Sequence, residues 1–289
     1  MIGEAEIAQA AAILGAGGLV VFPTETVYGL GCDARSAQAV ARLYAAKGRP
    51  RFNPLIAHIE GLADAEAHAH LHSLAKELAD AFWPGPLTLV APRRAQSPIA
   101  ELACAGLSTV ALRAPSHPVA RALLGALGGP IAAPSANLSG RVSATSAAHA
   151  TSDFGDAVGM VLDDGPSSIG LESTIVAIGD GGRPTLLRPG AISREAITAI
   201  TGPLAAPDDV VAAPGMLESH YAPRARLRLD ADRPRAVVPA QEAQAEAGKR
   251  EPQHRRQQPQ VDLGQLLEQF VDAGHGRRGH RQCDEGDQH

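Results

Sequence analysis

Cysteine is scarce in this chain of 289 residues: Cys32, Cys104 and Cys283 stand far apart, with no CxxC pair and no even framework. That spacing excludes a zinc site and a disulfide scaffold and points to a reducing compartment, the cytoplasm. Aromatic residues make up only 3% of the chain, and the formal net charge is −5. Both weigh against a protein that coats nucleic acid, which presents a basic excess to the phosphates. No apolar run approaches the ~18 residues of a membrane span. The N-terminal stretch MIGEAEIAQAAAILGAGG places Glu4 and Glu6 ahead of its apolar part and has no basic segment, so no membrane targeting is expected. The nucleotide signatures GxxxxGK[ST] and GxGxxG are missing, so any phosphate site here is unconventional. Nor does the chain offer a defensible Ser-His-Asp or Cys-His arrangement for nucleophilic catalysis.

What is present is an ample core, with 45% hydrophobic residues. Ala5 to Leu14 reads as a helix closed by Gly15 and Gly17-Gly18, and LVVF (19 to 22) as a buried strand stopped by Pro23. PTETVYGLG reads as a loop. Ser36 caps a helix through Ala46, a cationic loop follows, and LIAHI (55 to 59) is a strand. A helix over 71 to 82 stops at WPGP. LTLVA (87 to 91), TVALR (109 to 113), PIAAP (130 to 134), AVGMVLD (157 to 163), STIVAI (173 to 178) and TLLR (185 to 188) read as strands, with helices at 117 to 127 and 193 to 200. Interleaving of this kind predicts one α/β domain over 1–205. A Pro/Ala-rich linker covers 206–229. From 230 to 289 the composition turns to Gln, Arg, Glu and Pro, and the tail reads as low-complexity, disordered or out of frame, with VDLGQLLEQFV (261 to 271) its single amphipathic stretch.

Two loops concentrate the polar chemistry. KGRPRFNPL (47 to 55) sets Lys47, Arg49 and Arg51 at alternate positions before a strand, where they could hold a polyphosphate or simply form a solvated basic loop. APSANLSGRVSAT (133 to 145) is built of small hydroxyl and amide residues that let a ligand approach the backbone, or that satisfy their own backbone. PTETVYGLG adds Thr24, Glu25, Thr26 and Tyr28 at the end of a buried strand. HAHLH offers His68, His70 and His72, but no third ligand or acidic partner is specified nearby, so it reads as a solvated helix face and no metal site is expected.

PTETVYGLG, KGRPRFNPL, WPGPLTLV, VALRAPSHP, PIAAPSANLSGR, GLESTIV and LLRPGAI stand in the order found in YrdC-like threonylcarbamoyl-AMP synthases, and the chain resembles that family over about residues 10 to 200. PGMLESHYAP (214 to 223) is similar to the linker of its longer, two-domain members. The resemblance implies an α/β fold with a twisted mixed sheet, flanking helices and a concave basic active-site groove. It implies synthesis of threonylcarbamoyl-AMP and pyrophosphate from L-threonine, bicarbonate or CO2, and ATP with Mg2+, with no tightly bound metal or organic cofactor. A protein machinery would pass the threonylcarbamoyl group to tRNA, and a weak contact with tRNA or RNA would fit that destination.

Residue by residue, the family's tetrad falls on Lys47, Arg49, Ser135 and Asn137, with Lys47 and Arg49 as the catalytic cations. The resemblance assigns Asn53, Thr109, Ser143, Arg188 and Tyr221 to ATP as well. It assigns Thr26, His58, Arg113, Ala133 and Ser173 to threonine, with Arg113 suited to a carboxylate as a bidentate partner. Glu25 could support its loop or act as a base. The chain departs from the two-domain members in that the C-terminal domain reads as missing or replaced, which puts closure of Tyr221 over ATP in doubt. The competing expectations are an RNA-binding module of the same fold and an inactive truncated product; a carbamoyl-transfer module of the hydrogenase-maturation type lacks its flanking modules here.

Overall fold

Strand segments with apolar residues at consecutive positions call for a sheet covered on both faces. The computed structural model, which describes residues 2–179 and 181–205, builds them into one nine-stranded sheet. The first half of the fold comprises α1 (Glu4–Gly15), β1 (Val20–Phe22), β2 (Gly29–Asp33), α2 (Ala37–Lys47), β3 (Ile56–His58), α3 (Leu62–His68), α4 (Ser73–Phe82) and β4 (Leu87–Pro92). It continues through β5 (Thr109–Arg113), α5 (Pro118–Leu127), β6 (Ile131–Ala132), α6 (Ala147–Phe154), β7 (Met160–Val161), β8 (Thr174–Ile178), β9 (Pro184–Arg188) and α7 (Arg194–Thr201). The strand order is β7-β1-β2-β6-β3-β5-β4-β8-β9. Three neighbouring pairs, β1 with β7, β3 with β5 and β4 with β8, are parallel, and the other five are antiparallel. The expected α/β fold with a mixed, twisted sheet and flanking helices is what the chain adopts.

Because side chains alternate across a strand, the register sorts the sheet into two unlike faces. On one face Val21, Leu30, Ala57 and Leu112 pack under α2, α3 and α6, while Leu87, Leu89 and Val176 pack under α4 and α7. On the other, α1 and α5 cover Val20, Phe22 and Ile131. Further along that second face, Ile56, Val90, Ala111 and Ile175 form a small separate cluster. His58 lies two residues from Ile56, and Arg113 two from Ala111, so both project from the same face as that cluster. This half of the sheet is the floor of the cleft described below.

Several local expectations change. GLG, read as the end of a loop, begins the interior strand β2. Glycine is poor strand material, but a Cβ at Gly31 would stand 2.7 Å from the Phe22 ring, so the strand can pass that ring only with glycine there. α3 and α6 were not expected: α3 has only seven residues, and α6 (AAHATSDF) lacks a long apolar stripe and starts from the Ser146 cap. AVGMVLD contributes only Met160–Val161, since β7 is an edge strand paired to β1 alone and a 3-10 turn occupies Gly155–Ala157. The helix expected over 71 to 82 starts at Ser73, where the His72 ring accepts from Leu74 N at 3.2 Å. His68 therefore ends one helix while His72 caps the next, and the described residues contain no group of metal-ligating side chains there or elsewhere.

Candidate functional site

Helix α2 explains why cations stand at 47 and 49. Ser36 caps its start, and Gly48 at φ 59° ends it in the left-handed conformation that glycine adopts without strain. Lys47 is thus the last helical residue and is buried, while Arg49 begins the loop, also buried. Arg51, the third cation of the motif, is exposed and takes no part. Lys47 Nζ donates to Ser135 O at 2.6 Å and to Asn137 O, stitching the end of α2 to the loop after β6. Burial, reinforced by the charge of Arg49, pushes the ammonium down to about 7. Arg49 Nε and Nη2 donate to Asn53 O and Pro54 O at 3.1 and 2.9 Å.

A second cationic corner forms where β8 meets β9. Arg188 donates from Nη2 to Ser173 O and Ser173 Oγ, both at 2.9 Å, and approaches Glu172 Oε2 at 3.6 Å. The other oxygen of Glu172 accepts from Ser143 Oγ at 2.6 Å. A third corner lies at the end of β5. Arg113 Nη2 donates to Glu25 Oε1 at 2.6 Å, and Ser116 N donates to Glu25 Oε2 at 3.2 Å. Burial raises the Glu25 carboxyl, but the Arg113 charge and these hydrogen bonds outweigh it and hold the group below the usual carboxylate range. Beside Arg113 across the β3–β5 register stands His58, which burial and the Arg113 charge push down to about 3, so its imidazole is neutral.

These corners border one cleft that opens to solvent. Arg49, His58, Arg113, Ala133, Ser135 and Arg188 line it, with Thr24, Tyr28 and Glu172. Lys47 and Asn137 reach the lining through Ser135, Asn53 through Arg49, Ser173 through Arg188, Ser143 through Glu172, and Thr26 through its hydroxyl contact with Thr24 at 2.9 Å. Thr109 lies outside the lining. It sits four residues before Arg113 on β5, about 13 Å away and on the same sheet face. Tyr221 falls outside the described residues, as do the expected linker and tail.

Several buried polar atoms here have no hydrogen-bond partner within the protein: both side-chain heteroatoms of Asn53, Oδ1 of Asn137 and Nδ1 of His58. Each such atom costs about 1–3 kcal/mol unless something completes its bonding, and in a cleft that something is a ligand or water. The sequence reading passed over Glu172, which ties Ser143 to Arg188, and left Glu25 open. The signal for Glu172 was an acid inside the otherwise apolar and hydroxylic run GLESTIV. For the Glu25–Arg113 pair, 88 residues apart, sequence held no signal.

Comparison with known proteins adds an independent line. The Sua5/YciO/YrdC family model, described as "Telomere recombination", matches residues 12–190, and one described as "Threonylcarbamoyl-AMP synthase, C-terminal domain" matches residues 192–273. The chain is 46% identical to the threonylcarbamoyl-AMP synthase of Bacillus subtilis over 78% of its own length and 67% of that protein's. It is 44% identical to the synthase of Pyrococcus abyssi, over 78% and 68% of the two lengths. The crystal structure of P. abyssi Sua5 complexed with L-threonine superposes with a TM-score of 0.74 at 43% identity, covering 77% of this chain and 67% of that one. The chain thus spans about two thirds of these relatives' length. The C-terminal match corrects the expectation that this domain is missing or replaced. Part of the match falls on a Gln-, Arg- and Pro-rich stretch, which gives a reading by pattern little to hold.

Proposed function

The chain belongs to the Sua5/YciO/YrdC family of threonylcarbamoyl-AMP synthases, and from that premise we propose that its cleft joins L-threonine, bicarbonate or CO2, and ATP into threonylcarbamoyl-AMP and pyrophosphate. The observation that carries the reading is the division of one cleft into two chemistries. Arg113, His58 and Thr24 make an end suited to an amino acid, and Arg49, Lys47 and Arg188 make an end suited to a polyphosphate. Arg113 takes the threonine carboxylate, with Thr26 and Ala133 on its side, while Ser173 reaches the threonine from the Arg188 corner. The nucleotide runs along the floor, phosphates at Arg49, Lys47, Ser135, Asn137 and Arg188, base towards Thr109. Asn53, with its unpartnered amide, Ser143 and the linker's Tyr221 complete the nucleotide contacts in this proposal.

The threonine amine adds to CO2 as the free base and releases a proton. A carbamate oxygen then forms a bond to the α-phosphorus while the bond to the bridging oxygen breaks and pyrophosphate leaves. Neither His58 nor Glu25 is basic enough to take the amine proton near neutrality, since one is held neutral and the other ionised by their surroundings. The chain's contribution is alignment of the two substrates and fixed positive charge where the phosphorane charge develops. Glu172 is the one carboxylate in the lining and both its oxygens already face donors, so the residues fit a Mg2+ that arrives on the triphosphate rather than one held by the protein. Bound there, the ion screens the phosphate charges.

Lys47, Arg49, Arg113 and Arg188 are all buried, the three arginines lining the cleft and Lys47 held behind Ser135. An RNA-binding module needs exposed cations along a groove, so the burial favours the enzyme. No described helix is long and apolar enough to cross a membrane; the cytoplasm, and a protein machinery that moves the threonylcarbamoyl group onto tRNA, belong to the same proposal. The test is pyrophosphate release with ATP, bicarbonate and Mg2+, with and without L-threonine, in the wild type and in Arg49→Ala. Threonine-dependent release that falls about a hundredfold in the variant is expected, from two or more charge-assisted bonds lost. Release indifferent to threonine in the wild type refutes the reading.

A further inference from the structure

We propose that Glu25 is the positioning residue of the amino-acid end: its carboxylate presets the Arg113 guanidinium to receive a substrate carboxylate. The inference rests on the synthase reading above and adds to it a residue that touches no substrate.

Glu25 is itself pinned from several sides. Its backbone oxygen accepts from Ile169 N at 2.9 Å and Ser168 Oγ at 3.4 Å, which ties it to the loop before β8. Its two carboxylate oxygens take different donors, Arg113 Nη2 and Ser116 N. Arg113 is held on a second side by its Nε, which donates to Gly85 O at 3.3 Å. Two anchors on different nitrogens fix both the plane and the rotation of the guanidinium. Among the described residues those are its hydrogen bonds, and they leave Nη1, on a side chain that lines the cleft, for a ligand. Without Glu25, a buried arginine would keep its charge and lose its orientation, and the nearby phosphate end would compete for it.

The arrangement also separates orientation from charge. A carboxylate satisfies two donors at once. A glutamine offers one acceptor oxygen and one amide nitrogen, so it can face Arg113 or Ser116 correctly but not both. Asparagine-sized or apolar replacements reach neither. A role confined to holding the loop would weaken every substrate alike, whereas a role in presetting Arg113 is felt by the carboxylate of the amino acid.

The experiment compares wild type, Glu25→Gln and Glu25→Ala in threonine-dependent pyrophosphate release, with L-threonine and with L-threoninamide, which lacks the carboxylate. kcat/KM for threonine is expected to fall about tenfold in Glu25→Gln and about a hundredfold in Glu25→Ala, with KM for ATP within about twofold of wild type. The preference for threonine over threoninamide should narrow in the same order. Thermal melting establishes which variants fold, and Glu25→Gln carries the test if Glu25→Ala does not. An active wild type whose variants keep the full preference for the carboxylate, or raise both KM values in parallel, overturns the role of Glu25 alone. A wild type neither stabilised by threonine nor releasing pyrophosphate with it overturns this inference together with the synthase reading.

Discussion

ATP binding to this chain should take up a proton, and Lys47 is the group that receives it. The ammonium is buried with two carbonyl oxygens as partners and has Arg49 as its cationic neighbour; Glu172 and Asp153 oppose the shift, and the sum puts its titration at about 7. At pH 8 the free protein therefore carries a charge on about one Lys47 in ten. A phosphate charge brought to about 4 Å interacts by roughly 4 kcal/mol at the effective dielectric of a partly wet site, enough to lift the titration to about 9 or above. Binding at pH 8 then absorbs about 0.9 proton, and the apparent affinity for ATP weakens towards tenfold per pH unit as the pH rises from about 7 to 9. Titration calorimetry at pH 8 in two buffers of different ionisation enthalpy reads the proton count directly. That pH also lies above the range near ~6 where a terminal phosphate titrates. Lys47→Met should bind ATP with no buffer-dependent heat. An uptake below about 0.3 proton in the wild type, or equal uptake in Lys47→Met, refutes the reasoning.

Two further outcomes follow from the other corners. His58, held neutral down to about 3 by burial and Arg113 against an unfolded value near 6.5, must stay unprotonated in the fold while the unfolded chain gains its proton, so stability falls as pH drops through that window. Urea unfolding between pH 6.5 and 5 should show a slope that His58→Asn reduces by up to about one proton, and an unchanged slope counts against the buried neutral imidazole. Glu172→Ala releases Ser143 and removes the acid beside Arg188, which keeps its bonds to Ser173, and should raise KM for ATP about tenfold with KM for threonine within about twofold, judged by steady-state kinetics; an equal rise in both would assign Glu172 to general support instead.

How far the sequence could be read depended on whether a feature was local. LVVF, LIAHI and TVALR announce strands because their apolar runs exceed what a surface loop tolerates, and Ser36 with Gly48 brackets α2 by cap chemistry alone. Lys47 and Arg49 stood out by their alternate spacing, but their grouping with Ser135 and Asn137 came by resemblance in motif order, since Lys47 and Ser135 meet only through a fold that brings β3 and β6 together. GLGCD failed as a strand because its reason, the Phe22 ring, lies on a neighbouring strand. The C-terminal domain was passed over for another cause: from 230 onward the composition turns to Gln, Arg, Glu and Pro, in which a local reading finds one amphipathic stretch, VDLGQLLEQFV.

The two unlike faces of the sheet also explain why a cleft so rich in buried charge can exist. Arg113 and Arg188 project from the part of the sheet that α1 and α5 leave uncovered, Lys47 and Arg49 stand at the end of α2, and each of the four is tied to carbonyl oxygens or to an acid. Carbonyls from 53, 54, 85, 135, 137 and 173 replace part of the water these groups lose. Among the described residues Glu25 pairs directly with Arg113, Glu172 approaches Arg188, and Lys47 has only the more distant charges of Glu172 and Asp153, so the corner at Arg113 is electrostatically closed while Lys47 is in part deprotonated. In the function proposed above, that inequality orders the substrates. A singly charged carboxylate can be read by geometry at a neutralised Arg113, and the polyphosphate, which needs charge more than shape, is drawn to the other end, where its own field restores the proton that burial took from Lys47.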